Sequence, residues 1–141
     1  MDPLSITAAA VAFATAIIQT LQLAKTVKDA QQDVQRVQDS VESITVVLTE
    51  IRRVWEHRNL KKNLSSETVS HVSSILEKAA SKLEVLLALL QDKILDVNVQ
   101  TGKVRVKRHA WVLNRSEVLS LQDDLKRCEG VLLGIVETTS L

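Results

Sequence analysis

Aromatic side chains are almost missing from this chain, which has no tyrosine, one phenylalanine (Phe13) and two tryptophans (Trp55 and Trp111). That scarcity excludes a surface that stacks nucleobases on successive rings. Three glycines and one proline leave few places to break a helix, and no glycine-rich loop that cradles a phosphate. A single cysteine, Cys128, rules out an intrachain disulfide framework and fits a reducing compartment. No lysine or arginine precedes the first apolar run, so the charged start of a secretory signal is missing too. Net charge is also small: 18 Lys and Arg stand against 17 Asp and Glu, which gives no general attraction to nucleic acid.

The most informative absence is local. From Pro3 to Ala24, 22 residues pass without one ionisable side chain, bounded by Asp2 and Lys25. As a helix, that stretch covers the roughly 30 Å hydrocarbon core of a bilayer. Six of its positions are nonetheless polar: Ser5, Thr7, Thr15, Gln19, Thr20 and Gln22. The composition suits a buried helix in a soluble bundle at least as well as a membrane span. Which solvent this helix occupies is the functional question the chain poses.

What is abundant is helix-forming, heptad-patterned sequence. Apolar residues make up 45% and charged residues 25%, a globular balance, and 141 residues suffice for one domain with a sizeable core, taken as 1–141. Asp2 as N-cap and Pro3 at the first helical position start helix one. Its apolar row runs Ile6, Ala10, Phe13, Ile17, Thr20, Ala24, Val27, blurred by Val11, Ile18 and Leu21 on other sides. Helix two, Asp33 to His57, repeats Val34, Val37, Val41, Ile44, Leu48, Ile51 and Trp55 at strict three- and four-residue steps. Helix three, from Ser65 or Ser66 to about Lys93, repeats Val69, Val72, Leu76, Ala79, Leu83, Leu86 and Leu90. Helix four opens at Asn114 with Glu117 as a capping box, after one turn around Trp111, and carries Val118, Leu121, Leu125, Cys128, Leu132 and Ile135. Shared seven-residue periods and short connections predict an all-α, antiparallel up-down four-helix bundle.

The third connection has a different period. Leu95, Val97 and Val99 alternate with Asp96 and Asn98, and Val104 and Val106 alternate with Lys103, Arg105 and Lys107, around Gln100-Thr101-Gly102. Alternation on both sides of a glycine-containing turn predicts a small β-hairpin between helices three and four, its valine face on the bundle end.

Catalysis has little to stand on. There is no Glu-x-x-His pair of the di-iron kind; Glu67 and His71 are four apart, and His57, His71 and His109 lie in different elements. No nucleophile motif is present. Cys128 falls on a core heptad position, where a small buried thiol suffices as its role. No enzyme activity, cofactor, metal or small-molecule substrate is expected. Two basic clusters say more. Arg52, Arg53, Arg58, Lys61 and Lys62 surround the end of helix two, opposed only by Glu56, and Lys103, Arg105, Lys107, Arg108 and Arg115 surround the hairpin. Cations near helix C-termini complement the helix dipole. Next to an anionic membrane, each would also contribute about 1 kcal/mol of attraction.

The opening Met1-Asp2-Pro3-Leu4-Ser5-Ile6-Thr7-Ala8, followed by an Ala- and Val-rich helix, resembles the N-terminal domain of fungal STAND (NLR-like) proteins. So do Arg108-His-Ala-Trp-Val-Leu113 and Leu121 to Leu133, which resemble that family's closing helix. The likeness spans nearly the whole chain and is most specific in the first eight residues. This HeLo-like group is similar in architecture to the four-helix executioner domain of the mixed-lineage kinase-like pseudokinase. The resemblance implies a bundle at the front of a cytoplasmic receptor, acting in programmed cell death or immunity. It implies self-association and, in toxic members, recruitment to the plasma membrane through the N-terminal segment. The insertion candidates are then Leu4, Ile6, Val11, Phe13, Ile17, Ile18 and Leu21, and the headgroup candidates Arg52, Arg53, Arg58, Lys61 and Lys62. No nucleotide-binding region follows Leu141 and no amyloid-forming motif is present, so an isolated or truncated member is expected. The alternative expectation is a soluble module that docks protein partners or self-associates without membrane activity. Nucleic acid is not an expected partner.

Overall fold

The structure is a computed structural model that describes residues 3–25, 31–56 and 66–139. It is a four-helix bundle with a small β-hairpin between the third and fourth helices. The elements are α1 (Pro3–Leu23), β1 (Ala24–Lys25), α2 (Gln31–Glu56), α3 (Ser66–Leu89), a π-helical turn (Leu90–Ile94), β2 (Leu95–Val97), β3 (Val104–Val106) and α4 (Arg108–Thr139).

Consecutive helices run in opposite directions, as their short connections predict, but they are not all neighbours. α1 packs on α2 and α3, and α4 packs on the same two, so α2 and α3 oppose each other across the bundle. Side chains along α2 meet α4 at nearly constant sequence offset: Asp33 with Arg115, Ser40 with Gln122, Ser43 with Glu129. Constant offset means that these two helices run parallel. One end of the bundle therefore gathers the C-termini of α1 and α3 with the N-termini of α2 and α4.

The core follows the sequence pattern most closely in α2, where Val34, Val37, Val41, Ile44, Leu48, Ile51 and Trp55 are all buried. In α3 all the expected positions are buried except Val69, which is half-buried. The π-helical turn admits one extra residue and lets Leu89, Leu90 and Ile94 all point inward. In α1 the buried row is Ile6, Thr7, Ala10, Ala14, Ile17 and Leu21, whereas Phe13 and Thr20 are only half-buried. Ala10 and Ala14, both without solvent exposure, keep α1 close to its neighbours.

Three expectations are corrected. First, helix one does not continue through Ala24, and Val27, the last residue of its expected row, lies outside the described residues. The helix ends at Leu23, and Ala24 and Lys25 pair in parallel with Val104 and Arg105, giving a three-stranded sheet in the order β1-β3-β2. Extended backbone there satisfies the open edge of β3, which one more helical turn could not do. Second, α4 is one continuous helix from Arg108. Asn114 sits inside it, and its Nδ2 donates to the Ala110 carbonyl at 2.8 Å instead of capping a helix start. Nothing between Arg108 and Asn114 breaks a helix, and buried Trp111 anchors the first turn. Third, Val99 does not join the valine face. Leu95, Val104 and Val106 pack on the bundle, but Val99 lies in the turn and is 94% exposed.

Candidate functional site

The insertion candidates lie on α1, and none of them is exposed. Ile6, Ile17 and Leu21 are buried, and Leu4, Val11, Phe13 and Ile18 are half-buried against the same core. Among the described residues, α1 is the one helix long and apolar enough to cross a membrane, a test that the core helix of a soluble protein also passes.

Its outward face is unusual for a surface helix. Ser5, Ala8, Ala12, Thr15, Gln19 and Gln22 are exposed at alternating three- and four-residue steps, and every one is small or uncharged. Exposed positions of α2 instead carry Arg36, Asp39, Glu42, Arg52 and Arg53. Two of the six polar residues on α1 return their hydroxyls to their own helix. Thr7 Oγ1 donates to the Pro3 carbonyl and Thr20 Oγ1 to the Ala16 carbonyl, each at 2.6 Å. Those hydroxyls keep their hydrogen bonds wherever the helix goes.

The other helices are tied to one another by polar contacts. Arg115 Nε donates to Asp33 Oδ2 at 2.8 Å, joining α4 to α2. That guanidinium holds the Asp33 carboxyl below its ordinary range. Gln122, buried, donates to Ser40 Oγ at 2.8 Å. Lys82 pairs with Asp124 at 3.2 Å between α3 and α4. With no ionisable group, α1 can form no such ion pair.

The expected headgroup cluster is divided. Arg52 and Arg53 are exposed, but each is engaged within α2, Arg52 with Glu56 at 3.3 Å and Arg53 with Glu50 at 2.9 Å. Arg58, Lys61 and Lys62 lie outside the described residues. At the opposite end, Lys103, Arg105, Lys107 and Arg108 are all exposed. An open hollow of about 420 Å³ there is lined by Asp96, Asn98, Thr101, Lys103, Val104 and Arg105.

Among the described residues no group of three or more His, Cys, Asp or Glu side chains is placed to hold a metal ion. Glu67, His71 and His109 are exposed. Cys128 is buried, and burial pushes its thiol pKa up, away from the reactive thiolate. Sequence reasoning missed the β1 pairing that pins the end of α1, and a two-residue strand leaves no periodic signal to find.

No protein-family model matches the chain, and neither a curated protein nor a solved structure matches it. The residues and their placement carry the functional reading.

Proposed function

We propose that this domain is a signalling or effector bundle of the fungal NLR-like kind, acting in programmed cell death or immunity. In this reading it resides in the cytoplasm, self-associates on activation and releases α1 into the plasma membrane. The observation that carries the reading is that α1 holds its place without any charged group. Moving it breaks no ion pair and buries no charge.

Energetics make the release conditional. A fully buried large apolar side chain loses about 1.5–3 kcal/mol when moved to water, which applies in full to Ile6, Ile17 and Leu21. In a bilayer centre each large apolar residue gains roughly 0.3–0.6 kcal/mol, against the cost of the glutamines. Leu23, 68% exposed at rest, loses nothing on release. One helix thus gains little alone. Several helices, with Ser5, Thr15 and Gln19 turned together toward water, supply what one lacks.

Dye release from anionic vesicles tests the proposal. Oligomers of the domain should cause leakage, and Thr15→Leu, which greases the exposed face, should increase it. Vesicles that stay sealed even with forced oligomers would retire the idea. A second reading is favoured by the burial of Ile6, Ile17 and Leu21: a soluble module that docks partner helices while α1 stays in place. On that reading Thr15→Leu leaves signalling unchanged.

A further inference from the structure

We propose that the folded domain docks on anionic lipid surfaces through its hairpin end, with Val99 entering the interface and Lys103, Arg105 and Lys107 facing the headgroups. The choice of a membrane as partner rests on the function proposed above, but docking requires no movement of α1.

The tip is built, not loose. Asn98 N–H donates to the Lys103 carbonyl at 2.8 Å, and Gly102 N–H donates to the Asn98 carbonyl at 2.7 Å. Asn98 Oδ1 accepts from the Gln100 and Thr101 amides at 3.0 and 3.2 Å. Gly102 closes the turn at φ 70°, a conformation that suits glycine. Val99 is thereby held out at 94% exposure, the most exposed of the large apolar side chains described. A preformed turn with an apolar residue at its apex loses little conformational freedom on entering a lipid interface.

Charge gathers behind that tip. Between Asp92 and Arg108, five cations stand against two carboxylates, whereas the whole chain is only +1, so the remainder is net acidic. The strand period sorts the side chains. Val104 and Val106 are buried in the bundle, and Lys103, Arg105 and Lys107 are exposed. Arg105 pairs with Asp96 at 3.5 Å, and Lys93, Lys103 and Lys107 have no carboxylate within ion-pair distance among the described residues. An apolar apex followed by cations matches the layering of an anionic bilayer, tails inside and phosphates outside. A nucleic-acid backbone would use the cations but offers nothing to the valine, and no aromatic residue occurs between Lys93 and Arg108.

The test is co-sedimentation of the full chain with vesicles of phosphatidylcholine alone and of phosphatidylcholine with phosphatidylserine. Binding is expected to the mixed vesicles only, and to fall with added salt. Because each interfacial cation contributes about fivefold to partitioning, Lys103→Gln with Lys107→Gln should weaken binding by roughly 25-fold. Val99→Asp should weaken it as well. The pair Lys103→Arg with Lys107→Arg should bind like the native chain, and Arg52→Gln with Arg53→Gln should change nothing. All these positions are exposed, and far-UV circular dichroism checks that each variant is folded. The inference is overturned if mixed vesicles are not bound, or if the glutamine pair and Val99→Asp bind normally. It is also overturned if the chain prefers duplex DNA or polyglutamate to the vesicles. Dye leakage measured in parallel separates the two proposals. Docking without leakage, even from forced oligomers, leaves this one standing and sinks the release of α1. Leakage with binding indifferent to the hairpin does the reverse.

Discussion

Ile17 offers the sharpest probe of how α1 is held. It has no solvent exposure and lies between Ala14 and Leu21 on the buried face of a helix that packs on both α2 and α3. Ile17→Ala removes three carbons, worth about 2.4 kcal/mol at roughly 0.8 kcal/mol per buried methylene. The cavity left between three helices adds to that, and truncations of this type cost about 2–5 kcal/mol. We expect about 3–4 kcal/mol, a large share of the 5–15 kcal/mol or so that holds such a domain together. The melting temperature should fall by about 10 °C or more. Urea unfolding followed by circular dichroism measures the change, and the emission of Trp55 and Trp111, both buried, provides a second probe. Thr15→Ala, on the exposed face, should stay within about 0.5 kcal/mol of the native chain. A cost below about 1 kcal/mol for Ile17→Ala, or an equal cost for the two, would refute the packing of α1 described above.

Two further outcomes follow from the chemistry of single groups. Because Arg115 holds the folded-state pKa of Asp33 below its ordinary value, their tie contributes stability above the unfolded value of about 4 and loses it as pH falls through the lower folded value. Thermal melts should therefore show Asp33→Asn less stable than the native chain at neutral pH, with the gap closing in acid; a gap that widens in acid would contradict the assignment. The buried thiol of Cys128 should react with an aromatic disulfide reagent far more slowly in buffer than in denaturant, and a rate like that of a free thiol would place it at the surface.

How much of this was legible in the chain depends on how well charges marked the outside of each helix. In α2, Glu42, Glu50 and Arg53 fix the wet faces, and the seven-residue row from Val34 to Trp55 is the buried row. In α1 no charge sets the phase. The apolar residues permit several rows, and the buried one steps through Ile6, Ala10, Ala14, Ile17 and Leu21, nearer an ideal helical period than a heptad. The same drift appears at the end of α4, where Val136 is buried and Ile135 is half-buried. The hairpin was legible because Val104 and Val106 alternate with cations. The parallel pairing of Ala24 and Lys25 was not, since it joins residues 80 apart through two backbone positions. Nor does a heptad say which helices are neighbours: Val37 and Leu76 would read the same with α2 and α3 adjacent or opposed. For the candidate site, the sequence singled out α1, the one described helix long and apolar enough to cross a membrane, and also Arg52 and Arg53, whose pairing with Glu56 and Glu50 within α2 no spacing rule had marked.

Hydrogen exchange of the α1 backbone, read residue by residue on the free domain, bears most directly on the claim that this uncharged helix is stored within the bundle. Amides from Ala10 to Leu21 should exchange as slowly as those around Ile44 and Leu83, opening only when the whole domain unfolds. Exchange of that stretch within seconds, while α2, α3 and α4 stay protected, would show a helix already free of its shelter and would contradict the account.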